Sequence, residues 1–184
     1  GGQSKAAKAK KQSQVSSSTT TPGAGNVGMP SGGSEDFWVL AAIISVESGS
    51  PQGRADVAMS IINRAGSGGV YGGGPSIKGL VNAVNQYEPV RRGDPSLWAK
   101  ITDFNSAVEA LNSVDYVKGT GKKRLEEAAK VLQNPSLMDN AYSFIAGRTD
   151  FSTPSAMSVH GKWRQTHKDK EVERHGHVFG WFVG

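Results

Sequence analysis

Residues 37–49 constrain the fold most, because this segment is almost entirely apolar and carries a single carboxylate, Glu47. Helical spacing places Leu40, Ile43 and Ile44 seven, four and three residues before Glu47, so these side chains share one side of a helix. The segment therefore predicts a buried helix whose last turn holds an acid among aliphatic side chains.

The same position gives Glu47 a chemical prediction. Loss of water penalises the ionised form, so we expect a raised pKa, and an acid that keeps its proton near neutral pH can donate it. Gly49, Ser50 and Pro51 follow immediately and are typical of a helix end. The alternative is a frayed helix end with the carboxylate in solvent.

Other helices are predicted from caps and from apolar spacing. Ser34 is a good N-cap for the first helix. On the predicted helix over residues 51–65, Arg54 and Arg64 are expected to face water. The further helices predicted by apolar residues at helical spacing cover residues 51–65, 76–84, 96–113 and 122–133.

The remaining segments predict loops and a small sheet. Residues 66–75 are glycine-rich and predict a mobile loop, while residues 86–90 predict an extended edge segment in which Pro89 limits pairing. From Asn140 onward, short aromatic and β-branched runs separated by loops favour a small sheet. The fold class is therefore α+β: mainly helical, with a minor C-terminal β part.

The charge is concentrated in one part of the chain. Residues 1–33 contain four lysines and no acid, whereas the remainder has 17 basic and 16 acidic residues. The Gly, Ser, Thr and Lys content of residues 1–33 predicts a flexible linker, or an arm that orders only against a partner, ahead of one domain over residues 34–184. Docking of this arm to a larger assembly is the alternative. Four lysines are too few to indicate a nucleic-acid reader, so nucleic acid is not an expected partner.

Composition excludes several classes of function. The chain has no cysteine, which rules out disulfides and a thiol nucleophile, and no apolar run long enough to span a membrane. It starts with two glycines and without a Met or a leader, which is typical of a processed or excised piece. His175 and His177 would share one face of a strand, but no third metal ligand is evident. We therefore expect neither a metal nor another cofactor.

Several short motifs in order resemble the spore-cortex-lytic type of cell wall hydrolase, and the Glu47-Ser48-Gly49 motif is nearer the lytic transglycosylases of the lysozyme-like superfamily. The other segments that carry the resemblance are residues 52–64, 77–82, 86–87, 140–144 and 176–179. The resemblance implies a lysozyme-like domain, peptidoglycan as substrate and Glu47 as the catalytic acid. Residues 90–121 form a longer segment than that family has.

Cleavage of a glycosidic bond needs a proton donor and a group that meets the positive charge on the other face of the sugar. Glu88 is the first candidate for that second carboxylate and Asp56 the next, although each is more simply explained as a solvated acid. The substrate's own N-acetyl group is the alternative. Capture by the sugar's 6-hydroxyl would give an anhydro-muramyl product, and capture by water would be muramidase hydrolysis.

Other polar and aromatic side chains are candidates for binding the sugar chain. Ser48 would orient the substrate or Glu47, and Gln86, Tyr87, Glu88 and Tyr142 would contact the glycan. Ordinary packing is the alternative for both tyrosines. Tyr71, in the glycine-rich loop, is a weaker candidate.

The leading hypothesis is an extracytoplasmic peptidoglycan-cleaving enzyme, carried in a phage virion as a lysin. An exported bacterial autolysin or germination enzyme fits the same motifs. From another class, the alternative is a structural or wall-binding module of a virion or tail that binds glycan without cutting it.

Overall fold

Helix α1, Glu35–Glu47, lies at the centre of the structure and is buried along most of its length. The computed structural model describes residues 28–67, 76–84, 86–159 and 170–181. Ser34 caps α1 by accepting a hydrogen bond from the amide of Phe37 at 3.1 Å, as its sequence predicts. Because α1 contacts four other helices, its side chains are enclosed on several sides.

Helix α2, Pro51–Ala65, follows after a turn of three residues. Ser50 caps it by accepting a hydrogen bond from Gly53, and Pro51 occupies the first turn, where a missing amide is harmless. Seven further helices complete the described part: α3 (Ile77–Val81), α4 (Glu88–Arg92), α5 (Pro95–Ala99), α6 (Phe104–Asn112), α7 (Gly121–Leu132), α8 (Pro135–Ile145) and α9 (Pro154–Val159).

The predicted sheet is present and small. Strands β1 (Asp150–Ser152), β2 (Val172–Arg174) and β3 (His177–Gly180) form an antiparallel sheet in the order β1-β3-β2. Asp150 pairs with Gly180, and Arg174 pairs with His177. The fold is therefore α+β and mainly helical, as predicted.

Three local predictions are wrong. Residues 86–90 are not an extended edge segment, because α4 begins at Glu88 and accommodates Pro89 in its first turn. The helix predicted over residues 96–113 is divided in two, since Asp103 caps α6 with reciprocal side-chain and main-chain hydrogen bonds to Ser106.

The third error concerns residues 140–145, which were predicted to start the β part. They form the second half of α8, which Asn134 caps by accepting a hydrogen bond from Leu137. Met138, Ala141 and Ile145 lie at helical spacing and are all buried, so tertiary packing overrides the strand preference of the aromatic residues.

The N-terminal arm lies mostly outside the described residues, as do Tyr71 and most of the glycine-rich loop. Met29, which belongs to residues 1–33, is partly buried and packs against the core. The packed part of the chain therefore includes residues before Ser34. In the portion that the structure describes, no helix combines the length and apolar character needed to cross a membrane.

Candidate active site

Glu47 is the last residue of α1, and its side chain is partly buried. Leu40, Ile43 and Ile44 are all fully buried on the same helix. Burial raises the pKa of Glu47 from 4.5 to about 7, and the nearby charge of Glu88 adds to the shift. The predicted rise in the pKa of Glu47 is therefore confirmed, with desolvation as its main cause.

Arg54 fixes the end of α1 that carries Glu47. From α2, its Nε donates a hydrogen bond to the Ser48 carbonyl at 2.8 Å, and its Nη2 donates one to the Ser45 carbonyl at 3.0 Å. Carbonyls in the last turn of a helix have no partner within the helix, so Arg54 supplies donors that the helix itself lacks. The guanidinium also lies 3.6 Å from the carboxylate of Glu127. Arg54 is only 4% exposed, so the prediction that it faces water is wrong.

Ser48 lies at the junction of α1 and α2, next to Glu47. Its hydroxyl accepts a hydrogen bond from the Ser50 amide at 3.4 Å. A methyl group added to Gly53 would collide with the Ser48 and Ser50 hydroxyls, so Gly53 is needed for this close approach. Ser48 thus helps to position the turn after Glu47.

Tyr87 is near Glu47 but is buried rather than open to a ligand. Its ring stacks on Phe151, with centroids 6.4 Å apart, and the residue is 4% exposed. Burial raises the pKa of the Tyr87 hydroxyl. The charge of Arg64 lowers this pKa, and the charge of Glu47 raises it. A sugar therefore cannot stack on this ring, which packs on Phe151 instead.

Arg64 joins Gln86 to strand β1. Its Nη2 donates a hydrogen bond to Oε1 of Gln86 at 2.7 Å, and its Nη1 lies 3.0 Å from the carboxylate of Asp150. The side chain of Arg64 is mostly buried, so the prediction that it faces water is wrong. Gln86 precedes Tyr87 in the chain and is held by Arg64. The side chain of Gln86 is partly exposed and remains accessible to a ligand.

The two candidates for a second carboxylate have different surroundings. Glu88 is exposed in the first turn of α4, and its charge acts on Glu47. Asp56 is 1% exposed and is not a solvated acid. Its carboxylate accepts hydrogen bonds from Arg174 at 3.1 and 3.3 Å and from Nδ1 of His175 at 2.8 Å. Asp56 therefore joins α2 to the β2–β3 turn, and Glu88 remains the candidate.

The two histidines do not form a metal pair. His175 lies in the turn between β2 and β3 with a φ of 47°, whereas His177 begins β3 and is buried. Burial lowers the pKa of His177, and the main-chain groups of His175 and Glu47 act in the opposite direction. Among the residues whose placement is described, no group of three His, Cys, Asp or Glu side chains is arranged to hold a metal.

Tyr142 and Tyr116 are both half-buried and pack against the core, and the charges of Glu47 and Glu88 act on Tyr116. Tyr142 is half-buried and packs against the core from α8. Tyr116, which the sequence analysis missed, lies close enough to Glu47 and Glu88 for their charges to raise its pKa, after the larger effect of burial. We call Glu47, Tyr87, Glu88 and Tyr116 the acid cluster. Tyr116 had no sequence signal, because it follows α6 in a run of turns without apolar periodicity.

The fold and the acid cluster define a mainly helical α+β domain with one partly buried acid at the end of its central helix. No family model, curated protein or solved structure matches the chain.

Proposed function

We propose that this domain cleaves the glycan strand of peptidoglycan between N-acetylmuramic acid and N-acetylglucosamine, with Glu47 as general acid and base. The observation that carries the proposal is the pKa of Glu47, raised to about 7 by burial at a helix end that is still partly exposed. A carboxyl with this pKa is substantially protonated at neutral pH, and its partial exposure permits contact with a ligand. The resemblance of the motifs to wall hydrolases supplies the substrate class.

In the proposed mechanism, the Glu47 carboxyl donates its proton to the oxygen of the leaving sugar. The resulting carboxylate then accepts a proton from the group that attacks the sugar carbon. If that group is the 6-hydroxyl of the same sugar, the product is an anhydro-muramyl end. If it is water, the product is a reducing end.

The positive charge that develops on the sugar requires a partner on its other face. Glu88 is exposed and acts electrostatically on Glu47, so it is the protein group proposed for this task. The substrate's N-acetyl group is the alternative partner. Removal of the Glu88 charge distinguishes the two, because a mechanism assisted by the substrate retains most of its rate.

The test of the proposed function is release of soluble fragments from purified sacculi by the wild-type protein and by Glu47→Gln. We expect Glu47→Gln to lose about 100- to 10,000-fold in rate, the range for loss of a general acid. Glu109→Gln, an exposed site on α6, is the matched control and should cleave normally. Equal rates for wild type and Glu47→Gln would reject the mechanism.

Mass spectrometry of the fragments distinguishes anhydro-muramyl from reducing ends and therefore identifies the acceptor. A protein that sediments with sacculi but releases no fragments would instead be a wall-binding module of a virion or tail. The proposal locates the domain outside the cytoplasm, where its polymer substrate lies, with residues 1–33 docking it to a larger assembly.

A further inference from the structure

Tyr116 lies in the connection between α6 and α7, within the long segment that departs from the resemblance to wall hydrolases. Val114 and Val117, on either side of it, are each 1% exposed and anchor the connection to the core. Main-chain hydrogen bonds from Val117 to Val114 and from Thr120 to Val117 tighten it into successive turns. The position of Tyr116 is therefore fixed from both sides, while its own side chain is only half-buried.

Arg92 of α4 holds Tyr116 from a second direction. Its guanidinium lies over the Tyr116 ring, 5.3 Å from the centroid. The same guanidinium makes a two-pronged contact with the Asp115 carboxylate, at 2.9 and 3.0 Å from Nη2 and 3.3 Å from Nε. Because Asp115 precedes Tyr116 in the chain, this fork holds the guanidinium close to the Tyr116 ring.

Glu88 lies one helical turn before Arg92 on α4, and residues four apart share a helix face. The helix face that covers Tyr116 therefore also carries the candidate second carboxylate. Arg124, at the start of α7, approaches the cluster from the other side. Its Nη1 lies 3.4 Å from the Ser45 carbonyl of α1, and its Nε donates to Thr120. Tyr116 thus lies under Arg92 of α4, where the charges of Glu47 and Glu88 reach it.

We infer that Tyr116 is a substrate-binding residue, which contacts the N-acetyl sugar next to the cleaved linkage through its hydroxyl and the exposed part of its ring. This inference rests on the proposed function and adds a recognition group to it. Rigid aromatic side chains with a polar tip suit carbohydrate recognition, because the ring covers apolar sugar faces and the hydroxyl bonds to polar ones.

A purely structural role explains the ring of Tyr116 but not its hydroxyl. Packing against the core and under Arg92 would be served equally by phenylalanine. A tyrosine hydroxyl is protonated at neutral pH, and burial, followed by the charges of Glu47 and Glu88, raises its pKa further, so it is a neutral donor. A neutral donor here matches the carbonyl and hydroxyl oxygens of an N-acetylated sugar.

The test compares Tyr116→Phe and Tyr116→Leu with the parent protein in two assays. The first measures KM and kcat for fragment release from sacculi. The second measures binding of an N-acetylglucosamine oligosaccharide to the Glu47→Gln protein by calorimetry, which needs no turnover. We expect Tyr116→Phe to weaken binding and raise KM several-fold, and Tyr116→Leu to do so by about 10- to 100-fold, with kcat changed less than KM.

Phe144→Leu removes a half-exposed aromatic ring on α8 that lies against Arg174 and not against the acid cluster, and it is the matched control, which should bind and cleave as the parent does. Thermal melting establishes that each variant is folded, and Tyr116→Phe preserves the packing. If the wild type cleaves sacculi and both Tyr116 variants keep the parent's KM and glycan binding, the inference is overturned and the proposed function stands. If glycan binding depends on Tyr116 but the wild-type protein cleaves nothing, the binding role of Tyr116 stands and the proposed enzymatic function is rejected.

Discussion

Glu88 raises the pKa of Glu47 from a neighbouring helix, since its negative charge favours the protonated form of the partly buried acid. The two carboxylates lie far apart in the chain, one at the end of α1 and the other at the start of α4. Their proximity therefore depends on how the helices pack, and it has consequences for the dependence of activity on pH.

In the proposed mechanism only protonated Glu47 acts as the acid, and its pKa is about 7, so the rate of cleavage should fall as the pH rises through about 7. Glu88→Gln removes the charge that favours protonation, so the alkaline limb should move to lower pH. A pH–rate profile on soluble glycan fragments measures this shift. The control is Glu126→Gln, an exposed site on α7, which should leave the limb in place. If the alkaline limb of the pH–rate profile does not move in Glu88→Gln, the Glu88 charge does not influence the pKa of Glu47.

Stability should depend on pH through the same group. The pKa of Glu47 is higher in the native state than its ordinary value of 4.5, so the native state binds this proton more tightly than the unfolded chain does. That stabilising contribution is fully present below pH 4.5 and is lost as the pH rises through about 7. The loss amounts to roughly 3 kcal/mol, at about 1.4 kcal/mol per unit of pKa shift.

Glu47→Gln cannot lose this contribution. We expect it to resemble wild type in free energy of unfolding at about pH 4 and to exceed wild type by up to roughly 3 kcal/mol at about pH 8.5. Urea denaturation of both proteins at the two pH values measures the difference. A constant difference across the range would mean that the acid titrates alike in the folded and unfolded chains.

Asp56→Asn should weaken the fold without changing the chemistry. The substitution removes the counter-charge of Arg174 and the carboxylate that Nδ1 of His175 contacts, at a site that is 1% exposed, which should cost about 2–4 kcal/mol. Chemical denaturation measures the loss, with Asp139→Asn, exposed on α8, as the control. The rate per folded molecule should stay near wild type. A large loss of kcat in a folded Asp56→Asn protein would return Asp56 to the mechanism.

Gly53→Ala should destabilise the junction behind Glu47. Alanine is normally favoured over glycine in a helix by about 0.5–1 kcal/mol, but here the methyl group meets the Ser48 and Ser50 hydroxyls. We expect a net loss of about 1–3 kcal/mol, typical of an overpacked site, and reduced cleavage because the turn after Glu47 must shift. Gly49→Ala, where the added methyl group meets open space, should be tolerated. Thermal melting compares the two variants directly, and equal melting temperatures would refute the steric account.

The sequence was most informative where structure is local. The cap at Ser34 and the raised pKa of Glu47 each follow from neighbouring residues, and the structure confirms both. It was least informative where burial depends on distant segments. Arg54 carries a charge and was expected in water, but the free carbonyls at the end of α1 require its donors.

The tyrosines illustrate the same limit. Tyr87 packs on Phe151 of the sheet, whereas Tyr116 is held by Arg92 of α4. Both partners come from other elements, and α4 itself was predicted to be extended. Which tyrosine is covered and which is accessible therefore cannot be deduced from sequence spacing alone.

The strand order also bears on how the protein is made. Because β3 lies between β1 and β2 but follows both in the chain, the sheet cannot assemble until residue 180 has emerged from the ribosome. His177, which approaches the main chain of Glu47, arrives on that same strand. During synthesis, the surroundings of the acid are therefore completed last, long after the helix that bears it has been translated.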